Sequence, residues 1–379
     1  MFFFAALFLA EAAVRVLRAQ RIAALVVAGA LLGALERSNG AATIMPLPSV
    51  LLEALAMVLL FEVGQRVPLG WLRSNPWLLA ASIGESAAAF AAIYAVLALG
   101  FALPSIDCAL VAGICMAASP IVVMSVGKDL HARGQVSERA LLLCTLSSVY
   151  AVLVVQLFVV GYRAAARLEL VSVMQPIFQL SGSFLLGVVA AAALRLYAVV
   201  TRAQGALLTI GIICCCVLLF AYTLPLGLSP LLAALFFGLI VRATDRTHSL
   251  LSHQTSEIGA VLTLAYFILV GASLTLIESR MLLAACTAAA AVRLLAKVVA
   301  NVAFARPSAL SLAKGALVGV ASAPLSSLAL ILIASVAQQP ELGHAAQISA
   351  GVVLFMAILG PVLTEVALRR AGEPTRSTE

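Results

Sequence analysis

The 379-residue chain is short of charge. Asp, Glu, Lys and Arg make up 10% of it, where a soluble domain carries about 25%. Hydrophobic residues reach 64% and mean hydropathy is +1.15, more apolar surface than a water-soluble fold of this length hides. The chain also lacks the alternation of a membrane β-barrel, whose strands switch polarity residue by residue over about 10 positions; runs such as Ala284 to Ala291 do not alternate. Metal-ligand spacing is missing too. None of the seven cysteines forms a C-x-x-C pair, no His lies at ligand spacing from one, and Cys214, Cys215 and Cys216 point about 100° apart on a helix, so all seven read as apolar filler and no metal site or cofactor is expected. The net charge of +7 is scattered singly or in pairs between apolar runs, which argues against nucleic-acid binding. Met1 to Ala10 is apolar with no basic residue before it, unlike a cleavable signal, and is expected to be a short first span.

What is present is a series of apolar runs long enough to span a bilayer, which takes about 20 residues each. With no water to satisfy the backbone, such spans are helices. Breaks at Pro, Gly and charged residues predict about thirteen, near 2–18, 21–36, 49–66, 77–100, 107–126, 138–161, 174–198, 205–223, 226–241, 256–277, 281–304, 311–337 and 342–368. Of the 23 Lys and Arg residues, Arg37, Arg163, Arg167 and Arg280 fall in one set of alternate loops, Arg293 and Lys297 fall inside a span, and the rest fall in the opposite loops or the tail. Positive loops face the cytoplasm. The expected topology therefore puts the N-terminus outside and the C-terminus inside. No hydrophilic stretch of domain size interrupts or follows the spans, so the chain is expected to be membrane domain throughout, a transporter rather than an enzyme.

Two spans carry a similar interruption. The fifth contains Ala118-Ser119-Pro120 and the twelfth Ser322-Ala323-Pro324. Proline removes a backbone donor and clashes with the preceding turn. Corresponding breaks in two halves of a chain point to inverted repeats with a substrate site between broken helices; ordinary proline kinks are the alternative.

Ionisable residues within the spans are the next signal. Arg293, Lys297 and Asn301 follow at i, i+4, i+8 and share one helix face. Arg293 sits near the bilayer centre, where a basic residue costs about 2.5–3.5 kcal/mol, and should face a cavity or a carboxylate. Lys297 either joins it or snorkels to the cytoplasmic end. Glu85 lies about 12 Å into the fourth span by helical rise, with no basic residue three or four positions away. It reads as a functional acid or as a neutral, hydrogen-bonded structural one. Thr145, Ser147, Ser148 and Tyr150 bring hydroxyls in the sixth span to about the depth of Arg293, to line a site or to bond across helices.

With these residues placed, the chain resembles the bacterial cation:proton antiporters of the sodium/hydrogen exchanger superfamily. The likeness rests on Phe61-Glu-Val-Gly-Gln-Arg-Val-Pro-Leu69, on Ala117-Ala-Ser-Pro120 with the stretch from Ala132 to Leu143, on Val270-Gly-Ala-Ser-Leu274, on Val292-Arg-Leu-Leu-Ala-Lys297, and on Gly360-Pro-Val-Leu-Thr-Glu365 through Glu373, in that order along nearly the whole chain. The resemblance implies an all-α fold with two broken helices crossing at mid-membrane. It implies a core subdomain at about 77–161 and 281–368, a dimerisation subdomain at about 1–66 and 205–277, and a linker helix at about 174–198. It also implies a homodimer in the inner membrane that exchanges a monovalent cation for protons. Together with Glu85, read from its depth alone, the expected ion-translocation residues are Ser119, Pro120, Ser147, Ser148, Arg293, Lys297 and Pro324. One departure bears on mechanism. The family's essential carboxylate follows the unwound helix as part of Asp-Asp, Asn-Asp or Gln-Asp, and the aligned pair here is Ser147-Ser148. Three functions stay open: an antiporter whose proton carrier has moved to Glu85, a transporter of an anion attracted by Arg293 and Lys297, or a non-transporting relative.

Overall fold

The computed structural model describes residues 24–25, 27–29, 31–33, 49–65, 67, 75–165, 174–201, 206–245, 268, 280–325 and 327–374. Among these the chain is helical without strands, as the lack of alternation implies. The helices are α1 (Ser49–Gln65), α2 (Pro76–Ala95, continued by a π-helical turn Val96–Gly100), α3 (Ser105–Cys115), α4 (Pro120–Asp129), α5 (Gln135–Ala165), α6 (Met174–Thr201), α7 (Ala206–Thr223), α8 (Pro230–Thr244), α9 (Arg280–Ala303), α10 (Leu312–Ala321), α11 (Ser327–Ala337) and α12 (Gly343–Arg370). Six stretches among the described residues are long and apolar enough to cross a membrane, α3 and α4 counting together as one, and five shorter apolar helices accompany them. The spans expected at 2–18 and, apart from Ile268, at 256–277 lie outside the described residues, so the count of thirteen is not established. Many large apolar side chains face outward, Leu99, Leu196, Val199, Val200 and Ile358 among them, the pattern of a protein whose solvent is lipid.

The chain divides into two compact units. The first comprises Met1–Leu35, Trp71–Val155 and Val270–Glu379, and the second Glu36–Gly70 and Gln156–Leu269. In the second unit α8 packs on α1 and α6. Phe61 and Phe237 meet with ring centroids 4.4 Å apart, and the Ser229 hydroxyl caps α8 by accepting from Leu232 N at 3.3 Å.

The first unit holds two series of the same composition: α2, the α3–α4 pair and α5, then α9, the α10–α11 pair and α12. Each pair is one span broken at a proline. Pro120 cannot continue α3 because it has no N–H to offer. It opens α4 instead, where a missing donor is harmless, while Ser119 accepts from Val122 N at 3.4 Å as N-cap. In the second pair, α10 begins on Ser311, whose hydroxyl accepts from Lys314 N at 3.3 Å, and stops short of Pro324. α10 lies against α9 so closely that a β-carbon on Gly319 would fall 2.5 Å from Val298 Cα. Small residues of this kind let membrane helices touch backbone to backbone.

The end of α12 returns to the start of α5. Glu373 accepts from Val136 N at 2.6 Å and from Ser137 N at 2.9 Å. A carboxylate from the far end of the chain thereby satisfies two of the orphan donors at the positive end of α5.

Candidate ion-translocation site

A break in a membrane helix exposes carbonyls and amides that hydrocarbon cannot satisfy. Their partners define the centre of the first unit. The two breaks bond one another directly, Ser119 N donating to Pro324 O at 2.9 Å. Arg293, wholly buried, reaches both. Its Nε donates to Cys115 O at 2.6 Å, Nη2 to Ala117 O at 2.7 Å and Nη1 to Ala323 O at 2.6 Å. Ser148 Oγ donates to Ala118 O at 2.7 Å, and Thr364 Oγ1 from α12 to Ala321 O at 3.0 Å. Five carbonyls of the two breaks are thus held by three side chains. Arg293 sits where α3 and α10 end. Each helix C-terminus carries about half a negative charge, so two together balance one guanidinium. The buried cation therefore has a counter-charge, and it is backbone rather than carboxylate.

Glu85 and Lys297 supply a second, separate charge pair. Lys297 reaches from α9 to Glu85 Oε1 on α2. Both side chains are shut from solvent, at 0% and 1% exposure, which rules out the snorkelling conformation for Lys297. Asn301 Nδ2 donates to Glu85 Oε2 at 3.1 Å and to Lys297 O at 2.9 Å. Ser322 Oγ, in the second break, lies 3.5 Å from Glu85 Oε1 while donating to Gly319 O at 2.9 Å. Both carboxylate oxygens are engaged, from α9 and from the α10–α11 break.

The residues singled out in sequence therefore fall into three groups. Ser119, Pro120, Pro324, Ser148 and Arg293 build the crossing. Glu85 and Lys297 form an ion pair beside it, joined to it through Ser322. Ser147 stays on its own helix, donating to Cys144 O at 3.1 Å. Thr145 likewise bonds within α5, to Leu141 O at 2.8 Å, and Tyr150 OH meets Ser82 Oγ at 2.9 Å, tying α5 to α2. The sequence puts Asn301 on the right face without giving it a role, names Ser322 only as part of the second break, and does not single out Thr364. Ser322 had a signal, standing two residues before Pro324 in the repeat of the Ser119-Pro120 break. Thr364 had none. Among the described residues no group of three His, Cys, Asp or Glu side chains converges on a metal-sized site.

Residues 2–370 match the family model described as sodium/hydrogen exchanger, transmembrane. Two solved structures of the sodium proton antiporter MjNhaP1 from Methanocaldococcus jannaschii share the fold. One, determined at pH 8, superposes with a TM-score of 0.73 at 14% identity, covering 97% of each chain. The other, from an electron-microscopy map, gives 0.61 at 16% identity, with 99% of this chain and 98% of that one covered. No curated protein sequence matches the chain.

Proposed function

Because the chain belongs to the sodium/hydrogen exchanger family of transmembrane proteins, we propose that it exchanges a monovalent cation, Na⁺ or K⁺, for protons, with the Glu85–Lys297 pair as the exchange site. One observation carries this reading: the family carboxylate position holds Ser148, and a fully buried carboxylate–ammonium pair stands instead beside the crossing, linked to it through Ser322. When Lys297 gives up a proton to water, the Glu85 carboxylate loses its counter-charge. A dehydrated cation then takes the place of the ammonium, held by Glu85, the Ser322 hydroxyl and the side-chain oxygen of Asn301. A returning proton restores the ammonium and expels the cation. Each ion occupies the site at the other's expense, which is what coupled exchange requires, and binding energy drives the swap only as far as the two states differ in affinity.

The anion reading loses its motive at this geometry. Three of the five guanidinium donors of Arg293 are held by carbonyls and Lys297 is neutralised by Glu85, so neither group offers uncompensated positive charge. The remaining parts of the reading follow the resemblance. The core subdomain at about 77–161 and 281–368 carries the site by alternating access, the subdomain at about 1–66 and 205–277 pairs two copies into a dimer, and the chain sits in the inner membrane with the Lys- and Arg-rich loops in the cytoplasm.

The test is ion-driven collapse of a pH gradient in proteoliposomes. Na⁺ or K⁺ should release protons from loaded vesicles, and Glu85→Gln should abolish the signal while the protein stays folded. Undiminished exchange in Glu85→Gln overturns the site. Exchange that appears only after Ser148→Asp overturns the function and leaves a non-transporting relative with an intact scaffold.

A further inference from the structure

A second buried acid of the first unit stands apart from the exchange site. Asp107, in the first turn of α3, is 3% exposed. Among the described residues its Oδ1 has no hydrogen-bond partner and no cation pairs with it. Glu85 and Glu373, also buried, each engage both oxygens. The local reason is visible in the chain. A carboxylate at the third position of a helix ordinarily reaches back to the amide of the N-cap residue, and the N-cap of α3 is Pro104, which has no N–H. The neighbouring donors are engaged elsewhere. The amides of Phe101 and Leu103 go to Leu97 O at 3.3 and 3.4 Å, that of Cys108 to Pro104 O at 3.0 Å, and the Cys108 thiol to Leu103 O at 3.5 Å. The turn itself has an uncommon shape, with Ala102 at φ 50° after the π-helical end of α2, and such features gather at functional sites. α3 packs on α2 and its π-helical turn, on α11 and on α12. The π-helical turn and α11 carry no ionisable side chain. α2 carries Tyr94 toward this end and Glu85 farther along, and α12 begins with His344, whose charge acts on Asp107.

Resting on the reading of the chain as an alternating-access exchanger, we propose that Asp107 is an outer proton site of the first unit, which holds a proton while that side is closed and gives it up when water reaches it. An ionised carboxyl cut off from water, donors and cations is costly, and taking up a proton removes the cost. Once wet, the same group stands at the positive end of α3, which favours its ionised form. The closed and open environments differ in the proton they prefer, and that difference ties proton uptake to closure. α3 carries the link to the crossing. Asp107 and Cys115 lie about 12 Å apart by helical rise, and Cys115 O is held by Arg293. A shift of α3 that wets Asp107 is therefore felt at the guanidinium. The single exchange site at Glu85 keeps its one path, and Asp107 sets when it can change sides. α4 runs on from α3 to Lys128, and ends rich in Lys and Arg face the cytoplasm, which puts Asp107 on the outer side. Closure is then favoured at low external pH and resisted as external pH rises, by up to about tenfold per pH unit for one proton.

Two measurements test the proposal. Infrared difference spectra of the purified protein read the proton itself. A carboxylic-acid C=O band should be present in the wild type, absent from Asp107→Asn and retained in Glu85→Gln. Exchange in oriented proteoliposomes, with external pH varied at fixed internal pH, reads the coupling. The wild-type rate should fall by about tenfold toward alkaline external pH. Asp107→Asn, which mimics the protonated acid, should hold its rate there, and Asp107→Glu should restore the fall. The dependence on internal pH should be the same in all three. His344→Gln should keep both the band and the external fall. A band that survives Asp107→Asn, an external profile unchanged by it, internal and external profiles altered alike, or a fall removed by His344→Gln alone overturns the proposal. Failure of the exchange reading appears separately, as wild-type vesicles from which neither Na⁺ nor K⁺ releases protons. The coupling to closure then falls with it, whatever the band shows.

Discussion

Replacing Arg293 separates a fastening role from a cargo-binding one. In Arg293→Met the carbonyls of Cys115, Ala117 and Ala323 lose donors that now lie at 2.6, 2.7 and 2.6 Å. A buried acceptor left unpaired costs about 1–3 kcal/mol, so three cost about 6 kcal/mol at the middle of that range. Removing a central arginine returns about 2.5–3.5 kcal/mol of insertion cost. The net loss is about 3 kcal/mol, a large fraction of the stability of a typical folded domain. Arg293→Lys keeps the charge and loses the fork. A single ammonium is a point donor and cannot span three carbonyls drawn from two different breaks, so this variant should lie between wild type and Arg293→Met. Denaturant unfolding in mixed micelles measures both. An unchanged midpoint in Arg293→Met together with lost exchange would refute the reasoning, for then the guanidinium would serve the transported ion and the breaks would hold without it.

Other perturbations follow from the same contacts. Glu85→Gln and Lys297→Met should each destabilise by about 3–5 kcal/mol, because each leaves a buried charge alone, while the double variant should return close to wild type; a double-mutant cycle in the same micelles reads the coupling. Ser148→Ala should cost about 1–3 kcal/mol by orphaning Ala118 O, and Ser148→Asp should be no better tolerated unless the break rearranges, since a carboxylate has no proton to give that carbonyl. Gly319→Ala should drive α9 and α10 apart, with a loss of about 1–3 kcal/mol visible as a lowered unfolding temperature. Glu373→Ala should cost about 1 kcal/mol as a lost helix cap and accelerate amide hydrogen exchange at Val136 and Ser137.

Much of the architecture could be read from the chain because the bilayer enforces simple rules. A low charge content, apolar runs of the right length and two mid-span prolines, each with a serine one or two positions before it, lead directly to membrane helices with two breaks. The face shared by Arg293, Lys297 and Asn301 was also visible, since 3.6-residue periodicity is a local property. The partnerships were not. Glu85 and Lys297 are 212 positions apart, and nothing local to Glu85 announces an ammonium on another helix. Arg293 offered a harder case. Its partners are main-chain carbonyls, which every residue possesses, so sequence suggested a cation without a counter-charge where the folded chain supplies two helix ends. Ser148 drew attention as a missing acid, and its hydroxyl proton, donated to Ala118 O, is the property that matters in the fold.

The bond from Ser119 N to Pro324 O joins two main chains, not two side chains. Any residue at position 324 keeps the acceptor, and any residue but proline at 119 keeps the donor. A joint of this kind is invisible to most point mutations, so selection can rewrite the side chains around it without dismantling it. A lineage can trade one charge scheme for another at positions such as 148, 85 and 297 while the scaffold that presents them stays in register.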